Sequence, residues 1–323
     1  MYKPFLKWVG GKQQLLERIN GFIPSKINTY FELFLGGGAV MLNVLKRMDK
    51  GELKINNIVC NDLNNELINV YNCIKHEVVE LVRWLEYITY LFNLESIIVP
   101  EKRHKFNITV DITHVKTNEF TQIFESIQRN GKHYFYYGIR ELYNLLINES
   151  DKELYKRTKL LRGALFIFLN KTCFRGLHRM GNGKFNVPYG NYPAPTIYSK
   201  EQIYLLNKLF VKYNVRFIST NYTNLIKYVK THDFVYLDPP YYPTDRQSFT
   251  SYDKHAFGEK EHIDLINACN IINSKNGKFL HSNSDTPFNN SMYSHYSIQK
   301  VSCSRRINSK KPNSKIDELL IYN

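Results

Sequence analysis

The first seventy residues alternate between helix-like and strand-like spacing of apolar positions. "KQQLLERINGFI" (12–23) has the spacing of a short amphipathic helix closed by Pro24, and "TYFELF" (29–34) that of a strand. "AVMLNVLKRM" (39–48) predicts a helix, "INNIVCND" (55–62) the next strand and "LNNELINVYNCIK" (63–75) the next helix. Strand, helix, strand, helix is the order of a parallel α/β layer. Residues 71–170 change character: Leu, Tyr, Glu and Lys recur at helical spacing, as in "EVVELVRWLEYITYLFNL" and "RTKLLRGALFIFLN". The polar piece "RHKFNITVDITHVKTNEF" between them has no readable period. Strand patterns return at "VRFIST" (215–220), "DFVYLD" (233–238), "GKFLHSN" (277–283), "YSIQKVSC" (296–303) and "DELLIYN" (317–323). The expected architecture is a parallel layer interrupted by a mainly helical insert and completed after it.

A chain of 323 residues, 43% of them hydrophobic, can bury one large core or two modest ones. No stretch reaches the roughly 18 apolar residues of a membrane span, so no membrane partner is expected. The start "MYKPFLKWVGGKQQ" turns to Gly and Lys within its first dozen or so positions, unlike a secretory signal. Cys60, Cys73, Cys173, Cys269 and Cys303 are scattered, with no C-x-x-C pair. That pattern argues for a reducing, cytoplasmic setting and against a zinc site or any other metal. The net charge of +15, with a pI near 9.4, points to a polyanionic partner: nucleic acid first, an anionic membrane surface second. Drift of an AT-rich gene toward Lys and Asn would also raise the charge. However, the cations gather in particular segments, and no basic amphipathic helix stands out for membrane docking.

Three segments carry candidate chemistry. In "VYLDPPYYP" (235–243) a short apolar run ends on Asp238, and Pro239 and Pro240 can neither continue a central strand nor enter a helix interior. Asp238 is thus held at the carboxyl edge of a sheet, although an ordinary strand-to-loop stop has the same local pattern. "YFELFLGGGAV" (30–40) sets three glycines between a strand and a helix, where the backbone can approach a ligand and the helix start offers unpaired amides. It is not the dinucleotide fingerprint, since the third spaced glycine is missing. With Asp62 closing the next strand, the arrangement favours a nucleoside-containing ligand. In "FLKWVGGK" (5–12) Trp8 offers a flat face and Lys12 a cation, but a Trp is more often a core residue than a ligand contact. "FRGLHRMGNGKFNVPYG" (174–190) reads as a β-hairpin around a Gly/Asn turn, made cationic by Arg175, Arg179 and Lys184. Arginine suits bidentate reading of guanine in the major groove; a merely solvated basic hairpin is the plain alternative.

Taken together, "KWVGGK" (7–12), "ELFLGGGAV" (32–40), "NDLNNELINVY" (61–71), "LNKTCFRGLHRMGNGKFNVPYG" (169–190) and "DPPYYP" (238–243) resemble the Dam-like, D12-class adenine-N6 DNA methyltransferases. "HSNSDT" (281–286) and "SRRINSKKPNSKIDELL" (304–320) extend the likeness over nearly the whole chain. The resemblance implies a Rossmann-like AdoMet-dependent methyltransferase sheet, at 1–70 and 191–323. Its inserted, mainly helical target-recognition domain, at 71–190, would carry the β-hairpin. S-adenosyl-L-methionine would be the methyl donor and S-adenosylhomocysteine the product. The partner would be double-stranded DNA, met by a monomer and methylated at N6 of a flipped-out adenine, with GATC as the first expectation for the site.

Residue by residue, the likeness gives Asp238 the carboxylate that accepts from the adenine amine and Pro239 a carbonyl that does the same. Pro240 stiffens the turn, and Tyr241 stacks on the base. Trp8, Lys12, Phe34, Gly36, Gly38 and Asp62 match cofactor contacts, Asp62 at the ribose, and Asp238 sits where both substrates meet. Leu177, Arg179 and Pro188 match base-reading positions. Arg175 stands where many members have Asn and is expected on a phosphate, its neighbour Gly176 suggesting a close approach to the duplex. Arg305, Arg306 and Lys310 are expected on phosphates. The hairpin turn is one residue shorter than in the GATC-modifying enterobacterial type, which leaves the recognition sequence open, and the insert is longer than in the smallest members. Two rivals stay open at this stage: a catalytically inactive DNA-binding protein on the same fold, and an enzyme acting on another planar amide or amine, such as RNA adenine or protein glutamine.

Overall fold

The structure, a computed structural model, describes residues 2–94, 119–128, 131–243, 257–304 and 315–323. In chain order it begins with α1 (Leu16–Asn20), β1 (Lys26–Glu32), α2 (Ala39–Asp49), β2 (Lys54–Asn61), α3 (Asn65–His76) and α4 (Val78–Asn93). Next come α5 (Glu119–Gln128), α6 (Gly131–Ile147), α7 (Lys152–Arg157), α8 (Lys159–Thr172), a 3-10 turn (Phe174–Gly176), β3 (Met180–Gly181) and β4 (Lys184–Phe185). The chain closes with α9 (Lys200–Lys212), β5 (Arg216–Ile218), α10 (Thr223–Ile226), β6 (Phe234–Leu237), α11 (Glu259–Ser274), β7 (Lys278–Ser284), α12 (Pro287–Met292), β8 (Ser297–Ser304) and β9 (Lys315–Tyr322). Most of the piece at 103–120 lies outside the described residues.

By contact the chain forms two compact units: a helical one of residues 3–11 and 64–212, and a sheet one of Tyr2, 12–63 and 213–323. Packing thus divides the chain at other positions than 70 and 190. α3 packs on α8 and α9, and Asn207 of α9 donates to the carbonyls of Ile74 and Lys75 at 2.9 Å.

The sheet unit is a mixed α/β layer with seven strands in the order β5-β2-β1-β6-β7-β9-β8. The first five run parallel, and β9 is antiparallel to both β7 and β8. A parallel completion of the layer was expected; the last strand reverses it. Parallel neighbours need a crossover of a dozen or more residues, whereas antiparallel ones can follow each other directly. β9 follows β8 with no described helix between them and slots in beside β7. β6 is buried at all four positions, the pattern of a strand covered on both faces. Around it Val235, Leu237, Leu265, Cys269, Ile272 and Leu319 share one apolar core. α1 is shorter than its sequence pattern: residues 12–15 form a turn, with Leu15 N donating to Lys12 O at 2.9 Å, and Gly21 ends the helix.

In the helical unit α8 is buried along nearly its whole length, with α3, α4 and α6 packed on it. β3 and β4 pair antiparallel, Met180 opposite Phe185 and Gly181 opposite Lys184. Asn182 (φ 51°) and Gly183 (φ 72°) make the two-residue turn, both in the left-handed region that such tight hairpin turns require. The Asn144 amide of α6 grips β4, accepting from Phe185 N at 2.7 Å and donating to Phe185 O at 3.1 Å.

Candidate active site

β1 lies between β2 and β6, and in register Glu32 faces Cys60 on one side and Tyr236 on the other. Two residues past each of these, Phe34, Asp62 and Asp238 emerge together at the carboxyl edge. Here the sheet departs in two directions from β1, the place where open α/β sheets bind ligands.

On one side of this edge is the glycine loop. Gly36 (φ 49°) and Gly38 (φ 69°) adopt the left-handed conformation, and Gly38 immediately precedes α2. One Asp62 oxygen accepts from Gly36 N at 2.9 Å, and Leu35 N donates to Asn61 O at 2.8 Å, tying the loop to the end of β2. The Phe34 ring packs against Tyr222 at 5.1 Å and Phe257 at 5.9 Å. A carboxylate, a left-handed glycine turn, the start of an eleven-residue helix and an apolar ring match what a nucleoside with a charged tail asks of its site. The residues therefore fit S-adenosylmethionine.

Asp238 stands on the other side, immediately after β6. Its side chain is 18% exposed, and Lys12 Nζ, 6% exposed, lies 2.8 Å from Oδ1. Burial pushes the Asp238 carboxyl above the usual carboxylate range, the Lys12 ammonium pulls it back in part, and Glu318 adds to the rise. Lys12, expected beside the cofactor, thus also neutralises the strand-end carboxylate, and its ammonium sits 4.9 Å from the centre of the Tyr241 ring. Pro239 is buried and Pro240 exposed. The Tyr241 hydroxyl donates to Glu318 Oε2 at 2.7 Å, and burial pushes its own pKa well up, so it remains a donor.

Sequence reasoning missed four neighbours. Glu32, buried in β1, accepts from the Tyr30 hydroxyl at 2.6 Å; burial pushes its pKa up to about 8, with Asp238 adding to the rise. Glu318, Asn283 and Ser284 hold the two tyrosines after the prolines: Asn283 Oδ1 accepts from Tyr242 N at 3.0 Å, and Ser284 Oγ donates to Tyr242 O. "HSNSDT" and "DELLIYN" read in the sequence as a family likeness and a strand pattern, with no role for single residues. The signal available was a run of polar residues inside a strand that is otherwise buried.

Of the remaining predicted residues, Trp8, Arg175, Leu177, Arg179 and Pro188 belong to the helical unit. The Trp8 ring stacks near His178, with centroids 5.4 Å apart, and lies 6.3 Å from Phe166. Burial between such rings lowers the His178 pKa to about 4. Arg175 takes φ 57° in the 3-10 turn, its N–H donating to the Tyr192 hydroxyl at 2.8 Å and its guanidinium 5.1 Å from the Phe174 ring. Gly176 (φ 64°) is buried, and a Cβ there would meet the Lys7 side chain at 2.3 Å. A glycine at this position is thus also required by the packing of its own chain. Arg179 is exposed, with Nε donating to Asn186 Oδ1 at 2.6 Å. Leu177 is half-buried, and the exposed Pro188 accepts from Phe174 N at 2.8 Å. Arg305, Arg306 and Lys310 lie outside the described residues. Among the described residues, no cluster of three or more His, Cys, Asp or Glu could hold a metal, and no helix is long and apolar enough to cross a membrane.

Residues 8–307 match the model of the D12 class N6 adenine-specific DNA methyltransferases. Among curated relatives, the Type II methyltransferase M.MjaIII of Methanocaldococcus jannaschii is 32% identical, with 99% of each chain covered. The Type II methyltransferase M1.LlaDCHI of Lactococcus lactis subsp. cremoris is 29% identical over 99% of this chain and 95% of its own. The DNA adenine methylase of Escherichia coli is 27% identical over 98% and 94%.

Proposed function

The chain belongs to the D12 class of N6 adenine-specific DNA methyltransferases, and from that premise we propose that it methylates adenine N6 within a short double-stranded DNA site, with S-adenosylmethionine as donor. The observation that carries this reading is the Lys12–Asp238 pair at the switch point of the sheet, with Tyr241 beside it and the Asp62-tied glycine loop on the neighbouring strand. GATC is the first site to try. The Dam-type relatives that motivate it are only 27% identical, so the recognised sequence is to be mapped rather than assumed.

Asp62, Phe34, Gly36, Gly38 and Lys12 would hold the cofactor, with Trp8 as a further contact. When bound, S-adenosylmethionine supplies an electrophilic methyl group on a sulfonium. Adenine N6 is a poor nucleophile because its lone pair is delocalised into the ring. Asp238 and the Pro239 carbonyl, accepting its two N–H bonds, draw the nitrogen toward sp³ geometry and support the positive charge that develops there. A carboxylate raised by burial is the stronger acceptor, and the Lys12 ammonium offsets part of that rise. Transfer of the methyl group to N6 would leave its bonding electron pair on sulfur and release S-adenosylhomocysteine, and the surplus N6 proton can pass to Asp238. Pro239 and Pro240 hold this acceptor pair without ordering it at each turnover. The adenine must leave the duplex to arrive here, and the Tyr241 ring is its stacking face. Leu177, Arg179 and Pro188 would read base edges, with Arg175 and the cations Arg305, Arg306 and Lys310 on phosphates. Residues 71–190 would thus serve as the target-recognition domain.

The test is direct. Purified protein, methyl-labelled S-adenosylmethionine and unmethylated mixed-sequence DNA are incubated, the DNA is digested and the labelled nucleoside identified. N6-methyladenine at one short sequence is the expected product; label on cytosine, or none in DNA, would overturn the reading.

A further inference from the structure

Beyond Leu237 the catalytic segment has no ladder of its own: residues 238–243 belong to neither strand nor helix. Something else must keep the tyrosines still. Asn283, fully buried on β7, accepts from Tyr242 N at 3.0 Å, and Ser284 donates from Oγ to Tyr242 O. The Tyr242 ring stacks on Phe288 at 4.2 Å with an interplanar angle of 8°. Across the antiparallel pair, Ser284 is in register with Glu318 of β9, whose carboxylate takes the Tyr241 hydroxyl at 2.7 Å. A hydrogen bond to an ionised acceptor is among the stronger ones available to a phenol, and it removes the freedom of the ring to swing.

We infer that the reversed strand pair β7–β9 is a clamp on the catalytic segment, with Glu318 as the positioning residue that fixes Tyr241 through its hydroxyl. Asn283 and Ser284 do the same for the backbone of Tyr242. This rests on the reading of Tyr241 as the stacking face for the flipped adenine and adds the residue that orients it. Glu318 touches neither substrate in this scheme. Its one other reach is as a charge that raises the Asp238 carboxyl, so with transfer read on the plateau of the pH profile its effect must vanish once the phenol is gone.

That requirement gives the experiment: a double-mutant cycle of Glu318→Ala and Tyr241→Phe, read as single-turnover methyl transfer to saturating DNA. Each single variant should slow transfer about tenfold, and the double variant should be no slower than either. Glu318→Gln, which still accepts a hydrogen bond, should recover most of the rate, and the KM for S-adenosylmethionine should stay unchanged throughout. Thermal unfolding of all four proteins shows whether each variant folds. Should Glu318→Ala fail to fold, Glu318→Gln paired with Tyr241→Phe completes the cycle at smaller amplitude, again with no added loss in the double. Independent losses that multiply to about a hundredfold, or a Glu318→Ala rate within about twofold of wild type, would overturn the clamp while leaving the methyltransferase reading intact. A wild-type protein that transfers no methyl group to DNA would overturn that reading and the clamp's role with it.

Discussion

The two units of the molecule handle charge in opposite ways. At the edge of the sheet, acids are drawn out of water: Glu32 is 2% exposed and Asp238 18%, both with pKa values pushed up by burial, and one buried ammonium, Lys12, pairs with Asp238. On the hairpin of the helical unit, Arg175, Arg179 and Lys184 are all exposed. On the proposed function, the contrast follows from the tasks. Stabilising a charge that develops on a reacting nitrogen needs a dry, fixed site, where each charge is felt strongly. Reading a polyanion needs cations that reach outward and can exchange water for phosphate or base edges. A net charge of +15 is therefore a statement about the surface, and it says nothing about the acid-rich edge where we place the proposed chemistry.

If the contrast is real, breaking it on the buried side costs most. Lys12→Met leaves Asp238 without its partner, and removing one member of a buried pair typically costs about 3–5 kcal/mol. The variant should unfold at lower temperature. With the ammonium gone the Asp238 pKa rises further, so the acidic limb of the pH–rate profile should move to higher pH; an unmoved limb would dissociate Lys12 from the carboxylate. Asp62→Ala should weaken S-adenosylmethionine by about 1.5–3 kcal/mol, the scale of a bond to a charged acceptor. Titration calorimetry that finds unchanged affinity would remove Asp62 from the ribose.

On the exposed side the losses are smaller and of another kind. Arg179→Ala should cost about 1–3 kcal/mol on the matched site and relax selection at one base pair. Because its Nε is held by Asn186, Asn186→Ala should blur the same base pair more weakly. Binding to matched and single-mismatch duplexes at several salt concentrations separates this from a phosphate contact, whose loss weakens all sequences alike. Back on the buried side, Glu32→Gln is read as a pH dependence rather than a loss at one pH. Between its ordinary value of 4.5 and about 8, Glu32 keeps its proton in the folded protein and loses it in the unfolded one. Stability contributed by this group is therefore full below the lower value and declines as pH rises toward the upper. Glu32→Gln should flatten that decline in chemical denaturation measured from pH 5 to 9.

Much of this was legible in the sequence, and the reasons differ by element. β1, β2 and β6 are short apolar runs that stop at an acid or a glycine loop, so strand, edge and candidate residue came together. The direction of β9 was not legible, since alternation of apolar positions is the same in either direction. The helices α9 and α11, which return the chain between parallel strands, were passed over in favour of the strand patterns around them. Glu318 could not be found either, because its partner Tyr241 is 77 residues away and nothing local marks the pair. Lys12 was found for its charge, but its partner on β6 became visible only in three dimensions.

The division between a buried chemical edge and an exposed reading surface is tested most directly by Asp238→Ala. Its single-turnover transfer at saturating DNA and S-adenosylmethionine is measured beside its binding to matched and mismatched duplexes. Loss of an oriented acceptor in the transition state is expected to slow transfer at least about 10²–10³-fold, with the ratio of matched to mismatched binding unchanged. Near-normal transfer, or a loss of discrimination as large as the loss of rate, would contradict the account.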